Sequence, residues 1–255
     1  MTLWEGVAVL LAGVGAGTIN TIVGSGTLIT FPVLLAVGLP PVTANVSNTL
    51  GLVPGSLSGA IGYRRELTGQ RRRLARLSVA SLIGGLAGAV LLIRLPAEAF
   101  DAIVPVLILL ALVLVVLQPR VARAMAARRA NGDGAPAEEV GPVLFTGVLL
   151  AGVYGGYFGA AQGVLLLALM GMLLQDSMQR INATKNVLAM IVNAVAAVFF
   201  LFTSTIDWTA VLLIAVGSAA GGQLGAKVGR RLPPAALRGL IVVVGLVAVG
   251  RMLFG

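Results

Sequence analysis

Cysteine and histidine are both missing from the 255 residues. Without cysteine there is no disulfide, no thiolate metal site and no persulfide relay. Without histidine the usual proton relay and the commonest metal ligand are gone. Charge is scarce as well: 11% of the residues are charged, against about 25% in a soluble domain. The acidic residues are Glu5, Glu66, Glu98, Asp101, Asp133, Glu138, Glu139, Asp176 and Asp207, and each falls in a loop or at the end of an apolar run. A cation site or proton relay deep in a membrane usually needs a carboxylate, so an anion is the better substrate expectation. The usual nucleophile–base pairs of catalysis cannot be assembled from what remains. The expectation is a protein that is not an enzyme and carries no metal or cofactor.

What is present is apolar. The chain is 58% hydrophobic with a mean hydropathy of +1.01. Runs of roughly 20 residues recur, the length needed to cross ~30 Å of hydrocarbon, while the ~10-residue alternating segments of a barrel are not seen. The fold class expected is an all-α integral membrane protein, with the lipid bilayer as its first partner. A net charge of +9 on a soluble protein would suggest nucleic acid. Here the basic residues sit in short loops beside apolar runs, where they act as topology signals, and no nucleic-acid partner is expected. The opening "MTLWEGVAVLLAGVGAG" has no basic n-region and reads as a first membrane segment, not a cleaved signal peptide.

The chain repeats itself. "VLLAGV" occurs at Val9–Val14 and again, 139 residues on, at Val148–Val153. The same offset carries Gly17 onto Gly156, Gly24 onto Gly163 and Ala44 onto Ala183. "GGLAGAVLLIRLP" (Gly84–Pro96) matches "GGQLGAKVGRRLP" (Gly221–Pro233) at an offset of 137. The halves are expected at 1–117 and 142–255, each with five hydrophobic segments, joined by a small, flexible and charged linker at 118–141. The segments are expected near 4–22, 26–38, 44–62, 74–94 and 99–118, then near 142–158, 161–174, 184–203, 208–229 and 235–254.

Arginine and lysine set the orientation. The loop Tyr63–Arg73 and the linker start, with Arg120, Arg123, Arg128 and Arg129, are basic and expected to be cytoplasmic. "TSTID" (Thr203–Asp207) has no basic residue and is expected outside, whereas the turn with Lys227, Arg230, Arg231 and Arg238 is expected inside. Equivalent loops then lie on opposite faces, both termini are external, and the halves form two inverted-topology repeats. Such repeats mark secondary transporters, whose site lies near mid-depth at the repeat interface.

Gly51, Gly55 and Gly59, and Gly217, Gly221, Gly225 and Gly229, form four-residue ladders that suit close helix packing. "NTIVGSGTL" (Asn20–Leu28) and "GGYFGAAQGVL" (Gly155–Leu165) are different: they break apolar sequence with glycine and polar side chains at matched places. Short glycine-broken segments in both halves, possibly re-entrant, point to a binding site, bordered here by Ser25, Thr27 and Gln162. The alternative is a tight turn with no ligand. "TANVSNTL" and "NATKNVL" open the long spans that follow, and cluster Asn45, Ser47 and Asn48 in one half and Asn182, Thr184, Lys185 and Asn186 in the other. One such residue would serve as an N-cap; several, with a helix N-terminus, suit a small anion. Lys185 has two readings, an anion ligand or an interfacial anchor reaching for water.

At these residues the chain resembles the TauE/SafE family, the sulfite exporter family. The likeness rests on "AGxxxGxxxxxxGSGTLITFPVLLAVGLPPVTANVSN", its weaker copy after Gly152, and "GGxxGAxxxxRLP" in both halves, and it covers nearly the whole length. Ser25 interrupts a glycine cluster that often reads as three glycines in that family. The resemblance implies a multi-pass plasma-membrane protein exporting sulfite or a related sulfonate by alternating access. An anion channel or importer of organic sulfonates, and a membrane scaffold without flux, are the competing readings. The matched polar breaks favour transport over a scaffold.

Overall fold

The computed structural model describes residues 1–130, 140–228 and 234–254. These form α1 (Leu3–Ile22), α2 (Thr27–Ala36), α3 (Pro41–Gly62), α4 (Arg71–Arg94), α5 (Ala97–Ala130), α6 (Pro142–Tyr157), α7 (Gln162–Leu173), α8 (Met178–Thr203), α9 (Trp208–Val228) and α10 (Pro234–Phe254), with a 3-10 turn at Arg64–Leu67. The all-α class read from composition is what is found, and there is no strand among the described residues. Helices α1, α4, α5, α8 and α9 are long and apolar enough to cross a membrane. Their outward faces are apolar: Leu82, Ile83, Val106, Val113, Leu212 and Val216 are all exposed. In water such a surface is a liability, and in lipid it is the solvent-matched face.

Local chemistry explains the helix starts. Thr2 and Glu5 form a capping box on α1, each backbone N–H donating to the other's side chain. Proline sits at the first turn of α3 and α6, where its missing N–H costs nothing.

Four boundaries differ from the sequence expectation by three residues or more, and α4 is one of them, beginning at Arg71 and not near 74. Helix α8 begins at Met178 and not near 184, because the Ser177 hydroxyl caps it by accepting from the Arg180 N–H at 3.3 Å. Helix α3 begins at Pro41 and not near 44. The polar clusters "TANVSN" and "NATKN" therefore lie inside the first two turns, where nearly all of their residues are buried, and they are not helix caps. Helix α5 runs on through Pro119 to Ala130, so the basic start of the expected linker is helical. The rest of that linker, 131–139 with Asp133, Glu138 and Glu139, and residues 229–233 of the second "GGxxGAxxxxRLP" block lie outside the described residues.

Packing obeys the repeat. Helix α1 packs on α9 as α6 packs on α4; α3 packs on α9 as α8 packs on α4; α5 packs on α7 as α10 packs on α2. Helices α3 and α8 contact each other, as do α5 and α10, which pairs each with its own equivalent. The glycine ladders make these contacts possible: Gly217 and Gly221 lie against the α1 backbone near Leu10 and Val14, and Gly84 and Gly88 against the α6 backbone near Leu149 and Val153. Helices α3 and α8 are antiparallel. Ser47 meets Asp207, just beyond the end of α8, while Ser56, further along α3, meets Asn193 in the middle of α8.

Contacts between a residue and its own equivalent mark the pseudo-twofold axis, and one such contact is backbone on backbone. The Gly163 N–H donates to the Gly24 carbonyl at 3.1 Å. Gly24 lies in the turn between α1 and α2, and Gly163 in the first turn of α7, just after the turn from α6. The tips of the two hairpins thus meet on the axis. Helices α2 and α7 have only 10 and 12 residues, or about 15–18 Å of rise, too little to cross hydrocarbon alone.

Candidate functional site

The meeting point of the hairpins demands an unusual backbone. Gly24 (φ +89°), Gly159 (φ +79°) and Ala161 (φ +59°) all occupy the left-handed region, which is strained for the alanine. A Cβ on Gly24 would fall on the Gly163 backbone, and one on Gly163 on the Gly24 backbone. From this contact α2 and α7 run apart, so both present their N-terminal ends, with partial positive charge, to the middle of the protein.

Two polar groups at these ends have no partner. The Ser25 hydroxyl and the Gln162 side-chain NH2 are buried and make no hydrogen bond. Beside them, Asn48 Nδ2 donates to Thr27 Oγ1 at 3.3 Å and the Thr30 hydroxyl donates to Asn48 Oδ1 at 2.5 Å, locking α2 to α3. Asn45 Nδ2 donates to the Tyr157 carbonyl at 2.9 Å, at the end of α6, while its Oδ1 and the Tyr157 hydroxyl are buried without partners.

The end of α1 is treated in the same way from the other half. Its last-turn carbonyls, orphaned by the helix break, receive donors from α8. Lys185 Nζ lies 2.8 Å from the Asn20 oxygen and 3.2 Å from the Thr21 oxygen. Asn182 and Asn186 Nδ2 also donate to the Thr21 oxygen, at 3.2 and 3.4 Å. Lys185 is 0% exposed and forms no ion pair among the described residues. The interfacial-anchor reading of Lys185 fails, because its ammonium turns inward to backbone oxygens and not outward to water. A buried charge without a counter-charge is expensive; carbonyl dipoles at the negative end of α1 offset part of that cost. Gly163 lies directly against the Lys185 stem, so the lysine borders the hairpin contact.

Of the residues singled out from sequence, Ser25, Thr27, Asn45, Asn48 and Gln162 sit around the tips, and Asn182, Lys185 and Asn186 sit on the α1 terminus. Ser47 and Thr184 face elsewhere. The Ser47 hydroxyl accepts from the Asp207 N–H at 3.0 Å, and the Thr184 hydroxyl donates to Gln70 Oε1 at 2.8 Å. A cavity of about 150 Å³ bordered by Ile22, Tyr63, Gln118, Gln179 and Asn182 leads toward the α1 terminus. A larger groove of about 460 Å³ near Arg76 and Phe145 lies apart from this polar set.

Sequence reasoning missed two things. The acceptors of Lys185 are main-chain oxygens, which leave no mark in a sequence. The second is an ionic cluster between the repeats: Arg73 pairs with Asp176 at 2.7 Å, Arg180 pairs with Asp176 at 2.9 Å, and Arg73 also donates to Gln70. Arg73 was legible as a topology signal and Asp176 as a loop residue. That they pair across 103 positions was not.

Comparison with known proteins agrees with this architecture. The profile of the sulfite exporter TauE/SafE family matches residues 9–252. The chain belongs to the TauE/SafE family. Among its relatives, the Probable membrane transporter protein ORF9 of Sinorhizobium sp. is 28% identical over 240 residues, covering 93% of this chain and 88% of the relative. A Probable membrane transporter protein of Haemophilus influenzae is 26% identical over 245 residues, with 95% and 92% covered. The Probable membrane transporter protein YfcA of Escherichia coli K12 is 25% identical over 243 residues, with 94% and 86% covered. No solved structure matches. Family, relatives and membrane-length helices together make this TauE/SafE chain a multi-pass membrane transporter.

Proposed function

We propose that the protein exports a small sulfur-containing oxyanion, sulfite or a related sulfonate, across the cytoplasmic membrane by alternating access. The observation that carries this reading is the buried Lys185 ammonium, without a carboxylate partner, next to the meeting point of two half-helix N-termini. Half-helix N-termini directed at a substrate's anionic group are how broken-helix transporters bind it. In this reading Lys185 supplies the charge through its remaining N–H. Ser25 and Gln162 supply the free donors, while Thr27, Asn45, Asn48, Asn182 and Asn186 shape the site. Ser47 and Thr184, assigned from sequence to the same site, are read as supports that hold α3 and α8 to neighbouring turns. Both termini are external and the 118–141 linker is cytoplasmic, which puts the cavity beside Tyr63 and Gln118 on the side from which an exporter loads.

The test is accumulation of labelled sulfite in inverted membrane vesicles, against vesicles lacking the protein. Saturable accumulation supports the reading. Linear, non-saturating flux supports the channel alternative, and no flux of sulfite or organic sulfonates supports a scaffold.

A further inference from the structure

The position of the Lys185 ammonium is one that oxygen-coordinated metal cations take in other settings. Two main-chain oxygens, Asn20 O and Thr21 O, converge on Nζ from the negative end of a broken helix. Unwound carbonyls and half-helix C-termini are the groups that coordinate Na⁺ in transporters built from broken helices. The side-chain amides of Asn182 and Asn186 lie on the same Thr21 oxygen. Asn182 Oδ1 is buried with no partner. An amide that now donates its NH2 can turn its oxygen inward instead. The ammonium thus contacts two main-chain oxygens and no carboxylate, and turning both amides would raise the set to four oxygen atoms, one suited to a hard monovalent cation.

We propose that Lys185 is a tethered cation filling a monovalent-cation site formed by Asn20 O, Thr21 O and the amides of Asn182 and Asn186. Its charge holds the end of α1 against α8, the role a free Na⁺ would play. The protein therefore needs no sodium, and shortening the lysine opens the site to sodium. This depends on the carbonyl cage and not on which anion is carried.

The test uses full-length protein in detergent and thermal unfolding in 200 mM NaCl against 200 mM choline chloride, at about equal ionic strength. Lys185→Ala removes the ammonium and leaves room for an ion; Lys185→Met removes the charge but keeps the volume filled. Binding to the folded state alone raises the unfolding temperature. The expected result is a rise of about 3 °C or more in sodium for Lys185→Ala, with no rise for Lys185→Met or the wild type. Equal midpoints for Lys185→Ala in the two salts would overturn the proposal, as would sodium stabilisation of the wild type. Failure to recover Lys185→Ala even from sodium buffers would overturn it too, since sodium is expected to hold that variant together. Should anion transport fail in Lys185→Met while Lys185→Ala ignores sodium, the anion site stands and the tethered-cation role falls.

Discussion

The Gly163 N–H donates to the carbonyl of Gly24 at 3.1 Å, joining two positions that the internal repeat makes equivalent. The bond puts the tips of both hairpins on the pseudo-twofold axis. The unpartnered Ser25 hydroxyl and Gln162 amide nitrogen each lie next in sequence to one member of that bond.

The contact has no room for a side chain. Gly24→Ala adds a Cβ onto the Gly163 backbone at a residue that also holds φ +89°. Strain and overpacking together should cost about 3 kcal/mol or more. The expected outcome is a large loss of folded protein by fluorescence size-exclusion. Ala161→Gly, which relieves the only described non-glycine residue with positive φ, should be stabilising by thermal unfolding, by about 1 kcal/mol.

Asp176 joins the repeats on the side of the basic loops, between Arg73, 2% exposed, and Arg180. From sequence alone Asp176 is a dispensable loop carboxylate. The ion pair changes that expectation for stability, because removing one partner of a buried pair costs about 3–5 kcal/mol. Asp176→Ala should therefore unfold at a clearly lower temperature than wild type. Flux per folded molecule should stay within a few-fold, since the residue is no proton carrier in this account. Complete loss of flux in well-folded Asp176→Asn would contradict that.

Asn45 donates one amide N–H to the last carbonyl of α6, and the second N–H of the same amide is the donor an anion would use. Hydrogen bonds that involve a charged group contribute roughly 1.5–3 kcal/mol. Asn45→Ala and Gln162→Ala should each weaken anion binding about 10- to 100-fold, measured as half-saturation of flux. Ser47→Ala should leave it near the wild-type value, because that hydroxyl is engaged by Asp207.

The class of fold was legible because its cause is compositional: too little charge to coat a soluble surface. The hairpin contact was partly legible, since Gly24 and Gly163 share one repeat offset. The helix starts were not, because a single serine, Ser177, outweighs a whole cluster of Asn and Thr that looks like a cap. Burial reverses the meaning of that cluster. Asn182 and Asn186 look like helix-capping side chains in sequence, and in the structure they donate to the end of a helix from the other half. Lys185 could be picked out as a question, but its answer lies in two carbonyl oxygens that any residue would supply.

Orientation rests on basic loops alone. Reporter fusions at Thr2 and Gly255 should read external, and one at Asp133 cytoplasmic. A cytoplasmic C-terminus together with a cytoplasmic Asp133 fusion would break the predicted antiparallel placement of the halves in the membrane.

In the proposed function the buried Lys185 ammonium receives the transported anion. The direct measurement is the half-saturation of labelled sulfite flux for Lys185→Met against wild type, at matched, correctly inserted protein. Affinity is expected to weaken about 10- to 100-fold, as losing a charged hydrogen bond requires. Unchanged affinity in Lys185→Met would contradict it and leave Lys185 as a purely structural clamp on the end of α1.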